Sequence, residues 1–173
     1  MIRAIFPGTF DPIHNGHIDI AMRATKLFDE VVVAVYERPL KTLLFSPEER
    51  SLFVRQAFED CEKIKIMGYR GLTVDFANDV NAQVIVRGLR VFSDFEYEFR
   101  LALANTELAP RIETVALITS KDHTFLSSSS VREIASLGGD VSSMVPEHVN
   151  RILKERFADP TQDSQFATNA LRD

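Results

Sequence analysis

Five short runs rich in β-branched or apolar residues, at 2–6, 30–36, 65–67, 84–87 and 114–119, alternate along the chain with segments whose apolar residues recur at helical spacing. Parallel strands covered on both faces read as continuous apolar runs, and joining them needs a crossover long enough for a helix. The alternation therefore predicts an α/β, Rossmann-like fold: a five-stranded parallel sheet with helices on both faces. Local signals mark the helices. From Gly16, the positions Ile18, Ala21, Met22 and Thr25 follow one face. Ser46, Pro47 and Glu49 supply an N-cap, a first-turn proline and a capping-box acid for a helix carrying Leu52, Phe53 and Phe58. A third helix is expected over 74–80, and the S-D-F-E sequence at Ser93 reads as another capping box, opening a helix to near Pro110. Gly138 and Gly139 close a helix over 131–137, and Pro146 starts a last one ending near Phe157. Residues 1–157 are expected to form one domain and 158–173, polar and weakly periodic, a flexible tail.

Composition excludes several classes of function. With 45% apolar and 26% charged residues the chain is an ordinary globular one. Its longest apolar run, at 31–36, is far short of the roughly 20 residues that cross a bilayer. The first residues lack a basic cap before an apolar stretch, so no secretory signal is expected. Cys61 is the single cysteine, which disallows an internal disulfide and suits a reducing, cytoplasmic setting. A net charge of −5 argues against nonspecific binding to nucleic acid or anionic membranes. Any anionic substrate must meet a local basic cluster.

In parallel α/β folds ligands bind beyond the carboxyl ends of the strands, so the loops after strands one, two, four and five are expected to converge. The first of these is G-T-F-D-P-I-H-N-G-H, residues 8–17, between a strand and a helix start. Free N–H groups and the helix dipole favour phosphate there, and His14 and His17, three residues apart, can face one pocket. Gly8 and Gly16 would let the backbone approach a ligand. Taken alone, an H-x-x-H pair is more often a surface cap; zinc is weaker still, since only His123 and His148 remain as imidazoles.

Three ordered motifs carry a resemblance: G-T-F-D-P with H-N-G-H, then R-G-L-R (87–90) with D-F-E-Y-E (94–98), then S-S-S-S-V-R (127–132). Together they resemble the phosphopantetheine adenylyltransferase family, within the nucleotidyltransferase superfamily that shares the H-x-G-H signature. The resemblance implies joining ATP to 4′-phosphopantetheine, giving dephospho-coenzyme A and pyrophosphate, with Mg²⁺ held mainly by substrate phosphates and no protein metal ligand named. It implies His17, Lys41 and Arg90 as the catalytic set, with His17 stabilising charge on the α-phosphate. It places ATP on Thr9, Phe10, His14, His17, Gly88, Leu89, Arg90, Glu98, His123, Thr124, Phe125, Leu126, Ser127, Ser128 and Ser129. The phosphopantetheine falls to Thr9, Lys41, Thr73 and Arg87. A homohexamer, a dimer of trimers, is also implied.

The residue types suit the task, because two polyanions repel and must be neutralised on both sides before they meet. Each also has an ordinary reading: Lys41 as a solvated loop charge, Arg87 and Arg90 as partners of Asp94 or Glu98, polyserine as linker. His123-Thr124 stands where relatives place an aromatic residue near adenine, and Thr73 replaces a larger apolar side chain. Two other readings remain: a related nucleotidyltransferase acting on nicotinate mononucleotide or a phosphocholine-like acceptor, and a nonenzymatic nucleotide-binding protein.

Overall fold

The computed structural model describes residues 1–39 and 42–158. Five parallel strands, β1 (Arg3–Gly8), β2 (Glu30–Tyr36), β3 (Ile64–Tyr69), β4 (Val84–Leu89) and β5 (Glu113–Ile118), lie in the order β3-β2-β1-β4-β5. The order reverses between β1 and β4, as the strand–helix alternation requires. Successive residues face opposite sides. Ala4, Phe6, Val31, Val33, Val84 and Val86 enter one core, and Ile5, Val32, Ala34 and Ile85 the other. The larger core is covered by α1 (Asn15–Ala24), α2 (Pro47–Ala57), α5 (Ser128–Ser136) and α6 (Glu147–Phe157), through Ile20, Phe53, Val131 and Leu153 among others. On the other face α3 (Thr73–Asp79) contributes Val74, Phe76 and Ala77. Helices on both faces are thus observed.

Several strand ends run further than the apolar runs suggest. β1 continues through Pro7 and Gly8, which pair with Ala34 and Val35 of β2. Its ladder to β4 holds only Ala4↔Val84 and Ile5↔Ile85, so the two strands part beyond Ile5. Pro7 fits this central strand because its carbonyl, and with it the missing N–H, faces the side where that ladder has ended.

The helices bring three corrections, two at their starts and one on a buried face. The capping box at Ser46 forms as expected: Glu49 N–H donates to Ser46 Oγ and Ser46 N–H to the Glu49 carboxylate. The one expected at Ser93 does not mark a helix start; α4 (Phe92–Leu108) begins earlier, with Val91 at its N-cap. Glu96, the would-be capping acid, pairs with Arg100, while Asp94 turns back to the Arg90 N–H. Leu52 is exposed, and the buried face of α2 is Arg50, Phe53 and Val54. The α5 helix starts three residues before the expected 131, because Ser127 caps it by accepting from the Ser130 N–H at 3.0 Å. Its end is a Schellman turn: Gly138, at φ 77°, donates to Ala135 O and Gly139 to Ile134 O. The expected flexible tail lies outside the described residues, except Ala158.

Candidate active site

Where β1 and β4 part, a cleft of about 640 Å³ opens at their carboxyl ends. Its wall brings together Thr9, Phe10, His14, His17, Thr73, Arg87, Gly88, Arg90, Glu98, Ser127, Ser128 and Ser129 from the loops after β1, β3, β4 and β5 and from α4. Lys41 lies outside the described residues. Leu89, His123, Thr124, Phe125 and Leu126 do not line the wall. The Leu126 side chain is buried and only its carbonyl serves, accepting from Arg90 Nη1 at 2.7 Å. Phe125 is exposed, and Thr124 turns its hydroxyl back to Ser120 O. Phe10 is core more than contact surface: its ring is buried, edge-on to Phe6 and to His17 at 5.7 and 5.0 Å between centroids.

The two imidazoles stack at 3.6 Å between centroids, and the His14 backbone N–H donates to His17 Nδ1 at 3.3 Å. With Nδ1 accepting, a neutral His17 carries its proton on Nε2, which becomes a fixed donor. Both rings are held neutral. Burial, with the Arg90 and His123 charges adding to it, lowers the His14 pKa to about 3. Burial, then His14, Arg90 and Arg87, pushes His17 well below its ordinary value. In the unfolded chain these histidines titrate near their ordinary value of about 6.5, so below it the unfolded state binds more protons. The stability their neutral, packed forms provide is complete above that value and falls as pH drops towards about 3. Urea titrations are expected to show a midpoint falling steadily between about pH 7 and about pH 4, less steeply in His14→Gln.

Both arginines from the end of β4 are held by carboxylates of α4. Arg87 makes a bidentate pair with Glu98, Nε and Nη2 each 2.7 Å from an oxygen, and its Nη1 donates to Pro7 O at 3.1 Å. Arg90 pairs with Asp94 through Nε at 3.0 Å and Nη2 at 3.3 Å. The ordinary reading of these arginines is thus realised, and so is their convergence. Planar pairing fixes each guanidinium at the cleft wall. Next to Arg90, the first turn of α5 presents Ser128 and Ser129 at a helix N-terminus, with the Ser128 hydroxyl tied to Pro12 O at 2.9 Å.

A family model described as cytidylyltransferase-like matches residues 5–134. Proteins named phosphopantetheine adenylyltransferase from Desulfitobacterium hafniense (strain Y51) and Roseiflexus sp. (strain RS-1) are each 52% identical to this chain, over 89% and 91% of it and 94% and 98% of their own lengths. One so named from Dictyoglomus turgidum is 49% identical over 91% of the chain and 98% of its own length. The chain belongs to the phosphopantetheine adenylyltransferase family.

In this phosphopantetheine adenylyltransferase family member three further residues brace the cleft, and none is among the site residues expected from the sequence. Arg50, 0% exposed, donates to the carbonyls of Thr9 at 2.6 Å, Tyr36 at 2.8 Å and Phe45 at 3.3 Å. Asp11 is equally buried, and Arg132 reaches it from α5. Spacing alone offered one clue, since Arg50, Phe53 and Val54 share a helix face. Gly8 and Gly16 both line the cleft and are also constrained by packing. A Cβ on Gly8 would come within 2.8 Å of the Phe10 ring, and one on Gly16 within 3.1 Å of His14. Packing therefore favours glycine at both positions, against the Phe10 ring at Gly8 and against His14 at Gly16. No helix among the described residues is long and apolar enough to cross a membrane.

Proposed function

We propose that this chain transfers the adenylyl group of ATP to 4′-phosphopantetheine, releasing pyrophosphate and giving dephospho-coenzyme A, the penultimate step of coenzyme A synthesis. One observation carries the reading: the H-x-G-H histidine, two arginines and a serine-rich helix start, far apart in sequence, line one cleft at the sheet's switch point. The names of relatives about half identical over most of the chain support the choice of acceptor.

An acceptor phosphate oxygen attacks the α-phosphorus in line, the bond to the β-phosphate oxygen breaks, and pyrophosphate leaves. The attacking oxygen is already anionic, so no base is needed and no covalent enzyme intermediate forms. Neutral His17 donates through Nε2 to charge growing on the α-phosphate. Arg90, Ser127, Ser128 and Ser129 hold the β- and γ-phosphates, and Gly88 and Glu98 complete the nucleotide wall. Thr9, Lys41 and Arg87 take the acceptor phosphate, with Thr73 along its arm. Leu89, His123, Thr124, Phe125 and Leu126 stay proposed as nucleotide contacts on the resemblance alone.

Among the described residues no group of three metal-binding side chains occurs, and the cleft carboxylates Asp11, Asp94 and Glu98 are each engaged by an arginine. These donors do not suit a protein-held Mg²⁺. They fit a nucleotide that arrives as its magnesium complex, the ion keeping water and phosphate oxygens.

The decisive experiment incubates the protein with ATP, Mg²⁺ and 4′-phosphopantetheine and follows pyrophosphate and dephospho-coenzyme A. Turnover with nicotinate mononucleotide only, or with no acceptor, would overturn the assignment.

A cytoplasmic location and a homohexamer belong to the same proposal. Self-association is supported by an apolar stripe on α4, where Phe92, Phe95, Phe99 and Leu103 are exposed, with the Phe95 and Phe99 rings stacked at 5.8 Å. Sedimentation at micromolar concentration is expected to show a hexamer, and Phe95→Glu with Phe99→Glu a smaller species. A wild-type monomer would remove the proposal.

A further inference from the structure

Asp11 is a buried carboxylate that the proposed chemistry leaves unused. Its Oδ2 accepts from the Leu44 N–H and its Oδ1 from the Phe45 N–H, both at 2.9 Å, in the segment entering α2. From the opposite side Arg132 of α5 brings Nη1 to 3.4 Å from Oδ2 and donates from the same nitrogen to the Asp11 carbonyl. The 44–45 segment in turn shares Arg50 with the cleft residues Thr9 and Tyr36, whose carbonyls that guanidinium also holds. Arg132 carries the other end, beside Ser129 Oγ at 3.5 Å in the phosphate-facing turn.

A continuous chain of bonds therefore runs from the nucleotide side of the cleft through Asp11 to its acceptor side. A carboxylate accepts from both backbone donors and pairs with the guanidinium beside it; an amide would turn its NH₂ towards one of the donors and lose the ion pair. We propose that Asp11 is a positioning residue for both substrates, holding the first turn of α5 and the loop ends at Thr9 and Tyr36 in one register. The substrate assignments rest on the proposed function; the mechanical link does not.

Two measurements on the full chain test it. Amide hydrogen exchange without ligand is expected to run about 10-fold faster at Leu44 and Phe45 in Arg132→Met, although Arg132 touches neither amide. Unchanged exchange there would overturn the link. In steady-state kinetics Asp11→Asn is expected to raise KM for ATP and for 4′-phosphopantetheine together, each by about 10-fold. Unchanged KM values with a smaller active fraction would reduce Asp11 to a structural role and sink the proposal. Should Asp11→Asn fail to fold, the exchange result on Arg132→Met decides. Failure of the wild type to turn over 4′-phosphopantetheine would strike the functional reading while leaving the exchange test intact.

Discussion

Replacing His17 with alanine is expected to lower kcat by about 10²-fold or more while leaving KM for ATP within a few fold. The donor is preorganised: the ring is stacked on His14, edge-on to Phe10, and fixed in tautomer by the His14 N–H. Such a donor strengthens as charge moves onto the α-phosphate and contributes little to the ground state, so its loss falls on kcat. Single-turnover and steady-state kinetics separate the two parameters, and an unchanged kcat would remove the role. Depression of the His17 pKa adds a second mark. Since the ring stays neutral across the usual assay range, kcat is expected to show no histidine-like limb near pH 6.5. A limb there, abolished in His17→Ala, would mean that the ring titrates in the working enzyme.

Arg90→Met is expected to reduce kcat/KM for ATP by about 10³-fold, the scale set by arginines that stabilise phosphoryl transfer in trans. Two side-chain bonds to Asp94 and one to the Leu126 carbonyl hold the guanidinium at the wall, beside a third bond to Asp94. One of those runs from the Arg90 backbone and survives the change. Lysine at the position would keep a charge and lose the planar fork, recovering only part of the activity. A loss below 10-fold in Arg90→Met would show that the guanidinium serves Asp94 and the 126 carbonyl instead of phosphate. Circular dichroism on both variants guards against a folding defect, and Asp94 remains beside solvent in the opened cleft.

Much of the architecture could be read before any coordinates. The Val-rich run at 30–36 has no polar face to offer water, so it lies buried between β1 and β3. Ser46 and Glu49 satisfy each other's backbone groups within four residues, a purely local bond that needs no tertiary partner. The Ser93 expectation failed for the complementary reason: its downstream acids were drawn to Arg90 and Arg100, and S-D-F-E carries no mark of that competition. Leu52 lies exposed and Arg50 takes a place on the buried face of α2, because a guanidinium can be buried when carbonyls from three segments meet it.

The candidate site divides along the same line. Residue types and their order along the chain were enough for the parallel α/β fold and the phosphate-suited turn after β1, since these depend on backbone preferences and charge, while the set of cations came from the family resemblance of the three motifs. Folding alone decided which carboxylate each arginine takes, Glu98 for Arg87 and Asp94 for Arg90, that both histidines are neutral, that Leu126 contributes a carbonyl, and that Asp11 and Arg50 bind three loops together. Those outcomes depend on burial and on contacts between residues up to 121 positions apart, which no local pattern encodes.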